Sequence, residues 1–132
     1  MPLHLMTHPE DVLVVRLDPD EEPSWDWSAG PLGSLTRTAE ETSIVSRADL
    51  VPDGPRREGP FRAVEIAGPL EFGMIGVLAE ILHPLVQAKV SILTVSTYDT
   101  DWILVPTDNL DAATQAWRRA GFIVTPSTLI GG

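Results

Sequence analysis

Residues 65–105 read EIAGPLEFGMIGVLAEILHPLVQAKVSILTVSTYDTDWILV and carry the clearest fold signal in this chain. The stretch begins inside an alternating apolar and polar run at 62–67, which is typical of a strand. Apolar residues three and four apart over 73–88 predict an amphipathic helix, and Pro84 is expected to kink it or tighten its last turn. Two β-rich runs with a turn between them follow, at residues 90–97 and 102–105.

Each predicted helix has one apolar face. The expected inner residues of the first are Ile75, Leu78, Leu82, Leu85 and Val86. A second helix is predicted over 109–120, with Asp108 as its N-cap and Gly121 just beyond its end. Its expected inner residues are Leu110, Ala113, Ala116, Trp117 and Ala120. With a last strand at 122–125, residues 61–126 show the ferredoxin-like order of strand, helix, strand, strand, helix and strand.

The N-terminal residues predict a shortened version of the same plan. Residues 12–17 are a β-rich run that ends at an Asp-Pro turn signal, and 34–38 with 43–47 suits a hairpin. The segment VPDGPRREGP at 51–60 is the best candidate for a linker, because proline and glycine interrupt regular structure. The predicted fold class is therefore α+β, with two ferredoxin-type units: an abbreviated one at residues 1–60 and a complete one at 61–132.

Charge and composition exclude several classes of partner. The 132 residues include 9 Lys+Arg and 19 Asp+Glu, a formal net charge of −10. Nucleic acids and anionic membranes are bound through basic patches, so neither is expected as a partner. The most acidic segment is a loop at 18–23, which Trp25 and Trp27 are expected to anchor. The chain has no cysteine, which excludes thiol chemistry and fits a reducing cytoplasm.

The start of the first helix is one candidate binding segment, formed by Phe72, Gly73, Met74, Ile75 and Gly76. A helix N-terminus presents free N–H groups and about half a positive charge, which suits the carboxylate of an amino acid. Glycine lets a ligand approach the backbone closely, but it also allows tight packing of a helix on a sheet. The residues alone leave both interpretations open.

The second candidate segment is the turn after the strand at 90–97, and it includes Ser96, Thr97, Asp99 and Asp101. Two carboxylates at a strand end can pair with an ammonium or guanidinium group. Asp and Thr also suit turns for purely structural reasons. Asp101 is the stronger candidate, because it borders the return strand. A hydrolase that uses Asp99 and Asp101 is a distant alternative, since the sequence shows no accompanying nucleophile arrangement.

Three histidines complete the candidate residues. His4 and His8 have the spacing of two metal ligands on a helix, but Pro9 follows directly and no helical pattern surrounds them. We expect both to be surface residues near the terminus, with no metal site. His83 lies beside the apolar stripe of the first helix and is expected to be a partly buried structural residue.

The sequence resembles the ACT-domain family, and especially small two-ACT-domain proteins related to the cytosolic arginine sensors of animal cells. The similar pieces are the glycine pattern at the first helix start and the run Ser96–Asp101 before Ile103-Leu104-Val105. Gly68-Pro69-Leu70 and, in the first half, Thr36-Arg37-Thr38 with Ser43-Ile44-Val45 also look like this subfamily.

The resemblance implies a non-catalytic regulatory or sensor protein that binds an amino acid, with arginine or lysine as the suggested ligands. It favours the segment around Gly73 and Gly76 as a ligand loop. It also implies a homodimer or higher oligomer that pairs through sheet edges, and a regulated enzyme supplied as a separate chain. The alternative within the same fold is a protein-interaction or assembly module without a ligand.

Overall fold

The computed structural model describes residues 3–67 and 76–127, which form a mixed α/β fold as predicted. Seven strands and two α-helices lie within these ranges. In chain order they are β1 (His4–Leu17), β2 (Ser34–Arg37), β3 (Thr42–Arg47), β4 (Arg56–Ile66), α1 (Val77–Gln87), β5 (Leu93–Ser96), β6 (Asp101–Pro106), α2 (Leu110–Arg119) and β7 (Ile123–Pro126).

The chain divides into two compact units, and two strands contribute to both. We call them the helical unit, which is Met1–Pro9 with Arg62–Gly132, and the strand unit, which is Glu10–Phe61. The expected division at 60 and 61 thus differs from the observed grouping mainly in the first nine residues. Those residues group with the C-terminal half of the chain because the early part of β1 pairs there.

The helical unit keeps the predicted order β4-α1-β5-β6-α2-β7, and β1 adds one more strand to its sheet. The strands lie in the order β7-β1-β4-β6-β5. His4 to Thr7 pair in parallel with Ile123 to Pro126 of β7. The amide of Ala67, just after β4, donates to the carbonyl of His4 at 2.9 Å. The first strand therefore extends eight residues further toward the N-terminus than its predicted start at residue 12.

Both helices pack on one face of this sheet. The sheet contributes alternate residues, as the two-residue period of a strand requires. The fully or nearly fully buried members of this core are Leu5, Val64, Ile66, Ile103, Val105 and Val124 from the strands, and Ile81, Leu85, Ala113, Ala116 and Trp117 from the helices.

The prediction for the inner face of α1 was wrong at one position. Val86 is 71% exposed, whereas Ile81, which the predicted stripe omitted, is fully buried. Ile81 and Val86 each belong to a stripe with spacings of three and four residues, and the two stripes are neighbours on the helix surface. Which of them is buried depends on how the helix is rotated about its axis on the sheet. Pro84 is buried and lies inside the helix, which continues to Gln87. Proline has no N–H to donate to the carbonyl of Glu80.

The start of α2 also differs from the prediction. Thr107–Asn109 form a short 3-10 turn, so Asp108 is not the N-cap. Asn109 occupies the N-cap position and makes no capping bond through its side chain. At the other end of α2, Ala120 was expected to face inward but is exposed.

The strand unit has no α-helix and packs one face of its sheet against two tryptophans. Leu13, Val15, Leu17 and Ile44 form this small core, with Trp25 and Trp27 packed on it. The indole N–H of Trp25 donates to the Ser46 hydroxyl at 2.9 Å, so the loop after β1 is anchored as predicted.

Part of the predicted linker is a strand. β4 begins at Arg56 and includes Gly59 and Pro60. After β3 the chain forms a 3-10 turn at Ala48–Leu50, and only residues 51–55 then connect this turn to β4 without regular structure. Within the strand unit β4 pairs with β1. A proline is compatible with a strand when its missing N–H is not needed for pairing.

Both helices end in the same hydrogen-bond pattern. In α1 the amide of Lys89 donates to Val86 O at 3.1 Å, and that of Val90 donates to Leu85 O at 3.0 Å. In α2 the equivalent bonds run from Gly121 to Arg118 and from Phe122 to Trp117, each at 3.0 Å. This is the Schellman arrangement, in which the residue after the C-cap takes a left-handed conformation.

The two left-handed positions give a matched pair of predictions. Gly121 has φ of 97°, whereas Lys89 has φ of 59° and is the only non-glycine residue with positive φ among those described. Lys89→Gly should raise the free energy of unfolding by about 0.5–1 kcal/mol, and Gly121→Ala should lower it by about 1 kcal/mol. Urea denaturation followed by circular dichroism measures both. Equal signs for the two substitutions would contradict this account of the helix ends.

The helices are joined by one buried hydrogen bond. Trp117 is fully buried, and its indole N–H donates to the carbonyl of Ile81 at 2.8 Å. Trp117→Phe keeps an aromatic ring but leaves a smaller side chain and removes the donor.

We expect Trp117→Phe to lower the free energy of unfolding by about 2–3 kcal/mol, because both packing and a buried hydrogen bond are lost. Trp27→Phe is the matched control, since Trp27 lies at the partly exposed edge of the strand-unit core. Its loss should be clearly smaller by the same urea assay. Comparable losses for the two variants would show that the indole of Trp117 has no special role.

Candidate functional site

The turn between β5 and β6 is closed by its own hydrogen bonds. The amide of Thr97 donates to Thr100 O at 2.8 Å, and the amide of Thr100 donates to Thr97 Oγ1 at 3.0 Å. The two threonine hydroxyls also bond to each other. The indole N–H of Trp102 donates to Thr100 Oγ1 at 2.9 Å. The predicted turn is therefore correct, and hydrogen bonds within it and from Trp102 stabilise it.

The two aspartates of this turn have different surroundings. Asp101 opens β6 directly opposite Ser96, and the Ser96 hydroxyl donates to Asp101 Oδ1. Asp101 is half-buried, whereas Asp99 is exposed at the turn tip. A carboxylate has about four acceptor positions, so Asp101 keeps capacity for a cationic group after accepting from Ser96. Asp99 lies on the solvent side and is oriented by no hydrogen bond among the described residues.

The first candidate segment lies largely outside the described residues, which include Gly76 but not Phe72, Gly73, Met74 or Ile75. Gly76 is exposed at the N-cap position of α1, with φ of 83° and ψ of −1°. No side chain caps the helix there, and a Cβ built on Gly76 meets nothing within 4 Å. The glycine is thus required by its backbone conformation, and the space beside it is open.

The chain order places the ends of β4 and β5 at one edge of the sheet in the helical unit. A single helix, α1, returns the chain from the end of β4 to the start of β5, so β4 and β5 run in the same direction. The end of β4 and the end of β5 therefore lie at the same edge. The turn at 97–100 begins at this edge, and α1 follows β4 in the chain.

A buried histidine lies on the opposite face of this sheet from the helices. His8 is only 8% exposed, and its Nε2 lies 3.3 Å from Glu65 Oε1. Its ring is 5.2 Å from that of Trp102, at an interplanar angle of 35°. The Arg62 Nε donates to the His8 carbonyl at 2.6 Å. The prediction of His8 as a surface residue was wrong, because β1 reaches further toward the N-terminus than expected.

The other two histidines are less buried than His8. His4 is half-buried in β1, and its Nε2 lies 2.6 Å from Thr125 Oγ1 of β7. His83 is exposed rather than partly buried. It borders a groove of about 630 Å³ between α1 and the end of α2, a feature that the sequence did not indicate. The groove lining is Leu3, Ala79, Glu80, His83, Pro84, Ala120, Gly121 and Phe122.

Neither a metal site nor a membrane span is found in the part of the chain that the structure describes. Within residues 3–67 and 76–127, no three His, Asp or Glu side chains are grouped to hold a metal ion. None of the described helices is long and apolar enough to cross a bilayer. In the strand unit, the Arg47 guanidinium donates two hydrogen bonds to Asp49 and so lowers the pKa of that exposed carboxyl.

Comparison with known families identifies the C-terminal part of this architecture. The ACT-domain family model matches residues 56–119. This part of the chain resembles an ACT domain. The match covers β4 through α2, and therefore includes both candidate segments of the helical unit. None of the proteins of curated function matches the chain in sequence.

Solved structures extend the similarity to almost the whole chain. Protein Atu0741 from Agobacterium tumefaciens is 28% identical, with a TM-score of 0.87 over 96% of this chain and 95% of that one. The regulatory subunit of aspartate kinase from Thermus flavus is 12% identical, with a TM-score of 0.62 over 91% of this chain and 97% of that one. Aspartate kinase from Clostridium acetobutylicum, also 12% identical, has a TM-score of 0.62 over 88% of this chain and 33% of its own. The last two similarities show a shared fold.

Proposed function

We propose that this protein is a non-catalytic regulatory module that binds an amino acid through its ACT domain. The observation that carries the proposal is that β4 and β5 end at one edge of the sheet, and two complementary features lie at or after the ends of these strands in the chain. One is the uncapped start of α1 at Gly76, and the other is the Ser96–Asp101 pair of the β5–β6 turn. The regulatory subunits of aspartate kinase among its structural neighbours support a regulatory role for this fold.

The helix start suits the carboxylate of the ligand. The first N–H groups of a helix have no partner within the helix, and the helix dipole favours an anion there. In α1 the first internal bond runs from the Glu80 amide to Gly76 O at 2.9 Å. The amides before Glu80 in α1 therefore have no acceptor inside the helix. We include Phe72, Gly73, Met74 and Ile75 in the proposed site.

The turn suits the cationic end of the ligand. Asp101 supplies the charge, and Ser96 fixes the orientation of its carboxylate. An arginine or lysine side chain would pair with Asp101, since hydrogen bonds between two charged groups are the strong ones. Thr97 and Asp99 would lie at the rim. We propose that the ligand is arginine or lysine. We also propose that the protein is cytoplasmic and regulates an enzyme on a separate chain.

A ligand-free interaction module is the second candidate, and the edge strand β5 favours it. Leu93 is 44% exposed on β5, and Tyr98 is 85% exposed in the following turn. An edge strand with exposed apolar groups is a template for pairing with another chain. A homodimer or higher oligomer that pairs through the edge strand β5 is compatible with either candidate function.

A hydrolase based on Asp99 and Asp101 is disfavoured by the arrangement of the turn. Asp101 accepts a hydrogen bond from Ser96, but neither residue is buried. In a catalytic triad a third residue orients the base, and no described side chain does this for Asp101. Asp99 does not join them. Asp101 and Ser96 therefore form a polar pair suited to binding, and we propose no catalytic residue.

Calorimetric titration against the twenty amino acids tests the proposal. We expect arginine or lysine to bind, and Asp101→Asn to weaken that binding about 10-fold or more, because a contact between charges is lost. Asp99→Asn is the matched control and should change the affinity less than 3-fold. It removes the same charge from the same turn.

The two candidates give different results in this assay. Absence of any heat at millimolar amino acid, from a folded protein, would eliminate the binding proposal and favour the interaction module. Equal weakening by Asp99→Asn and Asp101→Asn would show only a general charge effect, and would contradict the role given to Asp101.

A further inference from the structure

A small charged pocket lies in the strand unit and has no part in the proposed site. It measures about 250 Å³ and lies among β1, β3 and β4. Arg16 of β1 and Ser43 of β3 are cross-strand partners in its lining. Its lining is Val14, Val15, Arg16, Glu41, Ser43, Arg56, Arg57 and Glu58. Three of the nine basic residues of an acidic chain therefore border one pocket.

Two of the three arginines are held in place by backbone carbonyls. Arg57 donates through Nη2 to Pro52 O at 2.6 Å and through Nε to Pro55 O at 3.1 Å. Arg16 donates through Nη2 to Glu40 O at 3.0 Å, and its ion pair with Asp18 is long, at 3.9 Å. A carbonyl orients a guanidinium without neutralising its charge, and each guanidinium has five donors.

The remaining charged groups at the pocket have no hydrogen-bond or ion-pair partner in the part of the chain that the structure describes. The guanidinium of Arg56 makes no hydrogen bond or ion pair with any described residue, and the carboxylates of Glu41 and Glu58 make none either. Arg56 and Glu58 are exposed, and Glu41 is half-buried. The pocket thus presents positive and negative groups side by side, and they do not pair with one another.

This mixture of charges selects the class of ligand. A phosphate or other simple anion would be repelled by Glu41 and Glu58, and a simple cation by the arginines. A molecule with a carboxylate and an ammonium group a few bonds apart complements both sets. We infer that this pocket binds the zwitterionic end of an α-amino acid, with its carboxylate toward Arg56 and its ammonium toward Glu58 and Glu41.

Size and exposure set the expected strength of binding. A volume of about 250 Å³ is below the usual range of pockets for drug-sized ligands, and it suits a single small amino acid. Because ion pairs at exposed positions are weak, we expect a Kd of about 1 mM. The inference takes its ligand class from the proposed function and adds a second binding place, in the strand unit.

Amide NMR of the full chain tests the inference, with L-alanine as the probe because it has no charged side chain to attract to Asp101. We expect L-alanine to shift the amides of residues 14–16, 43 and 56–58. L-alaninamide lacks the carboxylate and N-acetyl-L-alanine lacks the ammonium, so each should bind at least 5-fold more weakly.

Substitutions assign the contacts. Arg56→Gln should weaken L-alanine binding at least 5-fold, and so should Glu58→Gln. Arg119→Gln, on the exposed side of α2, is the matched control for loss of one positive charge and should have no effect. Since Arg56 and Glu58 are exposed, both variants should keep the dispersed spectrum of the folded chain.

The outcomes separate this inference from the proposed function. Shifts at residues 14–16 and 56–58 that Arg56→Gln abolishes support the inference. If L-arginine shifts only the amides of residues 96–101 and L-alanine shifts no amide of the strand unit, the inference is overturned and the proposed function stands. Equal binding of acetate and L-alanine overturns the zwitterion assignment. No shift with either amino acid overturns both.

Discussion

The parallel pairing of β1 with β7 is the interaction on which the helical unit depends. Leu5 lies opposite Val124, and both side chains are buried in the core that the helices cover. Because β1 lies between β7 and β4, the last strand joins the sheet, among the described residues, only through the beginning of the chain. The six ferredoxin-type elements from β4 to β7 therefore do not form a complete sheet by themselves. Their sheet is continuous only when β1 is present.

The two functional proposals depend on strand order and on oriented charged groups. β4 and β5 end at one edge of the sheet because a single helix joins them, and the proposed site combines the turn at that edge, with Asp101, and the uncapped start of α1. In the strand unit, β1 provides Arg16 to the lining of a second charged pocket. A neighbouring hydroxyl orients Asp101, and backbone carbonyls orient Arg16 and Arg57, which is the kind of support that gives a small ligand a fixed position.

Local patterns predicted the features that depend on local physics. Trp117 was expected inward from its helical spacing, and Gly121 was expected beyond the helix end because that position needs a left-handed backbone. The extent of β1 was missed, since His4, His8 and Pro9 hide the alternation of residues. The choice between Ile81 and Val86 depends on how α1 is rotated on the sheet. The Ser96–Asp101 bond depends on strand register, which composition does not specify.

Folding of the fragment 61–132, measured by circular dichroism during urea unfolding, tests the role of β1 most directly. We expect this fragment to show no cooperative transition by itself, although it contains residues 61–66 of β4 and all of α1, β5, β6, α2 and β7. The full chain should unfold cooperatively, and Leu5→Ala should destabilise it by about 2–5 kcal/mol. A fragment 61–132 that unfolds cooperatively without residues 1–9 would contradict the central role of the β1–β7 pairing.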